Sequence, residues 1–165
     1  QWKFFLFFQA QALLAMGFAL PIWMAGRSVR PQWEWMDALG AGVWILSIAG
    51  EALADAQLQA FRDDPANRGQ VCRRGLWSWS RHPNYFFEWI HWWAYVLFAL
   101  GTHGWLFTLA APALMLFFLF KVTGIPATEA HALRSRGEAY RRYQREVNAF
   151  FPWFPLRSNA APDAL

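Results

Sequence analysis

Four polar residues recur at helical spacing inside an otherwise apolar segment of the chain. Asn84, Glu88, His91 and Tyr95 stand at i, i+4, i+7 and i+11, so a helix places them on one face. Ionisable groups within an apolar span are costly and normally face protein or a wet cavity. We therefore expect this stripe to face a cavity that takes a polar ligand. The alternative is that Glu88 pairs with an arginine or a histidine only to hold helices together.

Two further sets of polar residues are predicted to lie at the same end of the molecule as this stripe. Glu51, Asp55 and Arg62 recur at i, i+4 and i+11 where the preceding apolar segment ends. A second set lies on a charged segment near the C-terminus and consists of His131, Arg134, Tyr140, Arg141 and Tyr143. The three sets together predict a polar cavity at one end of a helical bundle.

The loop over residues 62–82 is rich in arginine, with five arginines against two aspartates. Such a loop suits anionic lipid headgroups, and arginine is also the residue suited to bidentate phosphate binding. Beside the amide, the carboxylate and many aromatic rings, these arginines fit a ligand with phosphates at one end and flat rings at the other, such as a dinucleotide. The sequence contains no GxGxxG and no HExxH pattern, so neither a Rossmann site nor that type of metal hydrolase is indicated.

Cys72 is the one cysteine of the chain, which excludes an internal disulfide and a multi-cysteine metal site. Its neighbours Arg73 and Arg74 favour a lowered pKa of the thiol. The alternative is an incidental thiol with no role. No metal site is expected.

Composition indicates a membrane protein rather than a water-soluble one. Of 165 residues, 56% are hydrophobic and only 16% are charged, whereas soluble domains carry about 25% charged residues. The alternative is an unusually apolar soluble bundle. A span needs ~20 apolar residues, and four segments qualify or nearly qualify: 2–24, 35–50, 83–100 and 105–122. We expect the second to continue as a helix beyond the bilayer, and Pro112 to kink the fourth.

The distribution of basic residues predicts the orientation of these spans. If the four spans alternate, only Arg27 and Arg30 of the 15 Lys and Arg fall on one side, and the other 13 fall on the opposite side. The positive-inside rule makes the second side cytoplasmic. The loop 62–82 and the C-terminus, with a predicted amphipathic helix over 127–148, are therefore expected in the cytoplasm. We interpret residues 1–165 as a single all-α, multi-pass membrane domain that lacks an upstream part.

Four segments resemble the DUF1295 family, which belongs with the C-terminal domain of steroid 5-alpha-reductases. They are "EALADAQL", "GLWSWSRHPNYFFEW", "TGIP" and "YRRYQREVNAFFPW", and the resemblance runs from about Glu51 to Pro155. It implies a membrane enzyme that carries hydride from NADPH to a carbon–carbon double bond conjugated to a ketone. The implied substrate is lipophilic, steroid- or isoprenoid-like, and the implied cofactor cavity opens to the cytoplasm.

By this resemblance Asn84 and Glu88 match the asparagine and the acid that contact the cofactor, and Asp55 looks like the acid that precedes them. Arg81 and its neighbours would meet phosphate. The residues expected to bind NADPH are Asp55, Arg81, His82, Asn84, Tyr85, Glu88, His131, Arg134, Tyr140, Arg141 and Tyr143. The groups that polarise the substrate ketone in the family lie nearer the N-terminus, on helices that we expect in an upstream part, so no catalytic residue is assigned.

Two alternative functions remain open at this stage. The first is a membrane methyltransferase of the isoprenylcysteine carboxyl methyltransferase type, which has a similar RHPxY turn and uses S-adenosylmethionine. The second is a non-catalytic scaffold that binds lipids. Membrane lipids and a lipophilic small molecule are the expected partners, and no nucleic acid is expected.

Overall fold

The computed structural model of the protein describes residues 1–27 and 32–155. Within those ranges the chain forms helices and turns and no β-strand, which confirms the predicted all-α class. Arg30, one of the two basic residues assigned above to the outer side, lies outside the described residues. The α-helices in chain order are α1 Trp2–Gly26, α2 Trp35–Asp63, α3 Pro83–Ala99, α4 Ala110–Phe117 and α5 Ile125–Glu146.

In the part of the chain that is described, three helical stretches are long and apolar enough to cross a membrane. They are α1, α2 and the stretch from Trp105 to Glu146. The apolar part of the last stretch is Trp105–Val122, because α5 is rich in charged residues. The third predicted span, 83–100, corresponds to α3, which has 17 residues, begins and ends close to the predicted limits, and is not one of those three stretches. These helices identify a membrane protein, whereas its orientation stays a prediction.

The segment that was predicted to be one kinked span is built from three kinds of helix. A 3₁₀ turn over Trp105–Leu109 leads into α4, and a π-helical turn over Phe118–Val122 follows it. The predicted kink at Pro112 stays a prediction. Pro112 is the third residue of α4, and a missing N–H costs little in the first turn of an α-helix.

The chain divides into two compact units, and each is described separately. The first consists of Gln1–Ser47 and Trp89–Phe117, and the second of Ile48–Glu88 and Phe118–Leu165. In the first unit α1 contacts α4 and the 3₁₀ turn before it, and the rings of Phe18 and Trp92 lie 4.6 Å apart. Most side chains of α1 are exposed although they are apolar, as expected of a helix that faces lipid.

In the second unit α5 packs on the loop that precedes α3. Tyr140, Tyr143 and Val147 are buried in one cluster with Ala132, and Val71 of the loop packs against it. The helix enters through Gly124, where a Cβ atom would lie 2.7 Å from the carbonyl oxygen of Leu119, so only glycine fits. Gly137, at φ 51 and ψ −124, divides α5 into two helical segments. The predicted tail helix over 127–148 is thus confirmed in place, with a break that only glycine accepts easily.

Candidate functional site

A cavity of about 280 Å³ lies within the second unit. It is formed by the last turns of α2, the loop after it, the first turn of α3 and one face of α5. Leu58, Val71 and Ala132 supply part of its apolar wall. Its polar and aromatic lining consists of Asp55, Phe61, Arg62, Cys72, Trp77, Arg81, His82, Asn84, Tyr85, Thr128, Arg136, Tyr140 and Tyr143.

The structure brings seven of the eleven predicted site residues to this cavity. They are Asp55, Arg81, His82, Asn84, Tyr85, Tyr140 and Tyr143. These residues come from positions as far apart as the end of α2 and the second half of α5, so their convergence is a property of the fold rather than of sequence proximity.

Four predicted site residues do not line the cavity. His131, Arg134 and Arg141 are exposed, and Arg141 lies 3.5 Å from Glu138 on the same helix. Glu88 is half-buried, and its charged neighbours are Glu51 and Asp55. Among the described residues Glu88 makes no ion pair, so the alternative of an arginine or histidine partner finds no support in the second unit.

An acid and an amide form the pair that joins α2 to α3. Asn84 donates from Nδ2 to Oδ1 of Asp55 at 3.0 Å, and it accepts the backbone N–H of Tyr85 at 3.0 Å through Oδ1. One amide hydrogen of Asn84 and the second carboxylate oxygen of Asp55 remain as groups for a ligand. The pair can therefore donate one hydrogen bond and accept another at the cavity wall.

Two stacked rings lie beside this pair. The imidazole of His82 and the phenol of Tyr85 are nearly parallel, with centroids 5.3 Å apart. Nε2 of His82 lies 3.4 Å from Glu129, and the hydroxyl of Tyr85 lies 3.2 Å from that of Thr128. Both rings are thus tied to the first turns of α5, which gives the cavity a fixed aromatic wall.

Arg81 connects the turn before α3 to both ends of α5. Its Nε donates to Oε1 of Glu129 at 2.6 Å, and its Nη1 donates to the carbonyls of Gln144, at 3.0 Å, and of Val147. Its backbone N–H also donates to the carbonyl of Asn148 at 2.8 Å. Nε and Nη1 of Arg81 are used by the protein, so Arg81 serves first as an anchor between these segments.

Glu129 was not predicted, yet it is the carboxylate that organises this region. Burial alone would raise its pKa, but hydrogen bonds from His82 and Arg81, the charge of Arg81 and a bond from Gln144 lower that pKa to about 2. Gln144 donates to Oε2 of Glu129 at 2.8 Å. Glu129 is therefore ionised at neutral pH and serves as an anchor rather than as a proton donor.

Tyr140 and Tyr143 of α5 line the cavity with hydroxyl groups that are neutral at pH 7. Burial, and then the charge of Glu129, raises the pKa of Tyr140 to about 12. Burial also raises the pKa of Tyr143. The hydroxyl of Tyr143 donates to the backbone carbonyl of Trp77 and lies 3.2 Å from the backbone carbonyl oxygen of Ser80. Tyr143 therefore holds the loop 62–82 against α5, and the hydroxyl of Tyr140 can serve as a hydrogen-bond donor at neutral pH.

Arg62 and Arg136 line the cavity although neither was among the residues expected to bind NADPH. Arg62 belonged to one of the three polar sets that predicted a cavity, whereas Arg136 belonged to none. Nε of Arg136 donates to the carbonyl of Gln70 at 2.8 Å. The sequence could have predicted Arg136 from its position four residues before Tyr140, on the same helical face. The residues at this four-residue spacing, Thr128, Ala132, Arg136 and Tyr140, all line the cavity. The tail arginine at the site is thus Arg136, rather than Arg134 or Arg141.

The expectation of a lowered pKa for Cys72 is wrong. The thiol is buried against Phe61 and Trp77, and this burial raises its pKa more than Arg74 and Arg62 lower it. Cys72 is therefore an apolar contact of the cavity wall. Among the described residues no group of three His, Cys, Asp or Glu side chains is placed to hold a metal ion.

Comparison with known proteins adds one finding. A family model described as a protein of unknown function (DUF1295) matches residues 1–147. This match begins earlier than the resemblance seen in the motifs, which ran from about Glu51 to Pro155, and it ends before the aromatic segment after α5. No curated protein and no solved structure matches the chain.

Proposed function

This chain belongs to the DUF1295 family, and from that membership and the lining of its cavity we propose that it is an NADPH-dependent membrane reductase. The reaction would transfer hydride to a conjugated carbon–carbon double bond of a lipophilic, steroid- or isoprenoid-like substrate. The likeness of its motifs to steroid 5-alpha-reductases supports the reaction type, and the three apolar helical stretches support a lipophilic substrate.

One observation carries the proposal. Three arginines, an acid–amide pair and several aromatic rings from four segments converge on a single cavity of the second unit. Arginine guanidinium groups suit phosphates, the pair of Asp55 and Asn84 suits a ribose hydroxyl or a carboxamide, and aromatic rings suit a flat heterocycle. A phosphorylated nucleotide satisfies all three requirements together.

The size of the cavity limits how much of the cofactor it takes. Its volume of about 280 Å³ lies at the lower end of small-molecule sites, which are typically about 300–1,000 Å³. The cavity therefore takes one portion of a dinucleotide, and the rest extends beyond it. Arg81 anchors α5 to the turn before α3, and Arg62 and Arg136 are the other arginines of the lining. We therefore assign the phosphate contact to Arg62 and Arg136.

A reduced nicotinamide supplies the hydride when it is bound, and the protein's own residues bind and orient. Asn84 donates and Asp55 accepts, so a ligand hydroxyl or amide is held in one orientation. Arg81 and Glu129 keep the turn before α3 on α5, which preserves the cavity. Phe61 and Trp77 form part of the apolar lining, where they would contact a flat ring of the ligand.

A titration of the detergent-solubilised protein with NADPH, NADH and S-adenosylmethionine tests the proposal. We expect NADPH to bind, S-adenosylmethionine not to bind, and Arg136→Ala to weaken NADPH binding at least about tenfold, because one charge-assisted hydrogen bond contributes about 1.5–3 kcal/mol. Arg134→Ala is the matched control, since Arg134 is exposed on the same helix and does not line the cavity. Its NADPH affinity should equal that of the wild type.

Two results would contradict the proposal. Saturable binding of S-adenosylmethionine without NADPH binding would favour the methyltransferase alternative. Equal loss of NADPH affinity in Arg136→Ala and Arg134→Ala would show that net charge, rather than a contact in the cavity, attracts the cofactor.

A further inference from the structure

A chain of hydrogen bonds links α2 to α3 within the first unit, and the proposed function does not use it. Ser47 donates from Oγ to the carbonyl of Trp44 at 2.7 Å, and the same Oγ lies 3.2 Å from Nδ1 of His91. Nε2 of His91 lies 3.1 Å from the hydroxyl oxygen of Tyr95. Ser47 is fully buried. Three polar side chains in an apolar unit are thus connected in series.

The direction of every hydrogen bond in this series follows from its first member. A carbonyl oxygen only accepts, so the single hydroxyl hydrogen of Ser47 is used on Trp44. The Oγ of Ser47 must therefore accept from His91, which places the imidazole hydrogen on Nδ1. In a neutral imidazole the other nitrogen then accepts, so Nε2 takes the hydroxyl hydrogen of Tyr95.

The neutral form of His91 is the form that suits this environment. Its hydrogen-bond partners in the described part of the chain are two uncharged hydroxyl groups, and no carboxylate is among them. A charged group held in an apolar span without a counter-ion is costly. The aromatic rings of Trp44, Trp92 and Tyr95 surround the imidazole at centroid distances of 6.2, 5.9 and 5.3 Å, which adds no compensating negative charge.

Tyr95 also lines a cavity of about 290 Å³ in the first unit. Because the hydroxyl hydrogen of Tyr95 is used on His91, its oxygen has only lone pairs left to offer. Asp37, the other polar residue of the lining, is a carboxylate and likewise accepts. The remaining lining includes the apolar side chains of Ile22 and Phe98. A ligand of this cavity must therefore be apolar along its length and must donate a hydrogen bond from its polar end.

We propose that this cavity binds a lipid alcohol, with the ligand hydroxyl donating to the oxygen of Tyr95 and the hydrocarbon lying against Ile22 and Phe98. A ketone or aldehyde of the same shape lacks the hydrogen and leaves two acceptors facing each other. His91 and Ser47 are positioning residues, because they act on the ligand only through the hydroxyl of Tyr95. The site is independent of the proposed cofactor cavity, whose residues all belong to the second unit.

Competitive photolabelling tests the site. A long-chain primary alcohol bearing a diazirine is crosslinked to the purified protein in lipid nanodiscs, with hexadecanol or the methyl ketone of equal length as competitor. We expect the alcohol to compete about three- to tenfold better than the ketone, the range that one hydrogen bond gives. Tyr95→Phe should remove this preference, because it deletes the accepting oxygen and retains the ring.

Ser47→Ala separates a positioning role of Ser47 from a merely structural one, because only a positioning role predicts a changed ligand preference. Without the accepting Oγ, the imidazole proton is no longer held on Nδ1 and can move to Nε2, which then donates to Tyr95. The hydroxyl hydrogen of Tyr95 is released toward the cavity, so the preference should shift from the alcohol toward the ketone. Nitrogen NMR of the histidine-labelled protein should show the proton of His91 on Nδ1 in the wild type and on Nε2 in Ser47→Ala, with His91→Gln providing the assignment.

A contrary result in the NMR or in the competition experiment would overturn the proposal. In the NMR it is a wild-type His91 that carries its neutral proton on Nε2. In the competition experiment it is equal competition by alcohol and ketone in the wild type, or an alcohol preference that persists in Tyr95→Phe. The NMR measurement stands on its own if a variant expresses poorly, because the wild-type tautomer is already decisive.

Discussion

Arg81 and Glu129 are 48 residues apart in sequence and form an ion pair beside the cavity, at 2.6 Å between Nε and Oε1. Only 10% of the Arg81 side chain and 15% of the Glu129 side chain are exposed. The pair joins the turn before α3 to the first turns of α5. Because the same guanidinium also bonds two carbonyls at the far end of α5, one side chain holds both ends of that helix.

Breaking this pair should destabilise the protein strongly. Glu129→Gln keeps the shape of the side chain but leaves Arg81 buried without a counter-charge, which costs about 3–5 kcal/mol when a buried pair is broken. We expect a clear fall in Tm of the detergent-solubilised protein, measured by tryptophan fluorescence. Glu138→Gln is the control, since the pair of Glu138 with Arg145 is exposed; its Tm should stay at the wild-type value. Equal Tm values for Glu129→Gln and the wild type would contradict the anchoring role.

The stabilisation by Glu129 should depend on pH in a defined window. The folded protein lowers the pKa of this carboxyl from 4.5 to about 2, so the unfolded state binds a proton first as the pH falls. The contribution is fully present above about pH 4.5 and is lost as the pH falls toward 2. We expect the Tm gap between wild type and Glu129→Gln to be constant from pH 7 to 5 and to shrink below pH 4.5. A gap that shrinks instead between pH 7 and 5 would mean that another group controls it.

Glu88→Gln should have the opposite effect to Glu129→Gln. Glu88 lies among the carboxylates of Glu51 and Asp55, so removing its charge relieves repulsion. We expect a Tm equal to or above the wild type. Were Glu88 the partner of a buried cation, the same change would lower stability by about 3–5 kcal/mol. Thermal unfolding of the protein without added cofactor separates these outcomes.

Cysteine labelling tests the orientation that the basic residues predict. Gln70 and His103 are both exposed, and each is replaced by cysteine in a Cys72→Ser background. In intact cells an impermeant maleimide should label His103→Cys and should not label Gln70→Cys, because the loop 62–82 is predicted to be cytoplasmic. Wild-type Cys72 should remain unlabelled even in opened membranes, since it is buried and its thiol pKa is raised. The reverse pattern for Gln70→Cys and His103→Cys would invert the topology.

Local patterns in the sequence were sufficient to predict the helices. Long apolar runs gave α1 and α2, and helical spacing placed Asp55 and Asn84 in reach of the same cavity. The change of helix type near Pro112 was not predicted, because an apolar run does not show where one kind of helix gives way to another. α4 begins where the 3₁₀ turn before it ends, and no single residue of the segment predicts that boundary.

The parts of the site that were missed depend on contacts between distant residues. Glu129 acquires its role from Arg81 and His82, which precede it by 48 and 47 residues. The pKa of Cys72 follows from burial rather than from the arginines beside it in sequence. Arg136 was within reach of prediction, because it shares the four-residue spacing of Tyr140 and Ala132, but motif likeness drew attention to Arg134 instead.

The dependence of the cavity on α5 has a consequence for how the protein is made. Arg81 can bond its two carbonyl acceptors only after they have been synthesised, 63 and 66 residues later in the chain. At a synthesis rate of about 5–20 residues per second, this delay is several seconds. During that interval α1 and α2 already exist and α3 is made, while Thr128, Arg136, Tyr140 and Tyr143 of the lining do not yet exist. A message that ends prematurely before α5 therefore yields a polypeptide with membrane helices and no cavity. Ligand binding is a property that the nascent chain acquires only at the end of translation.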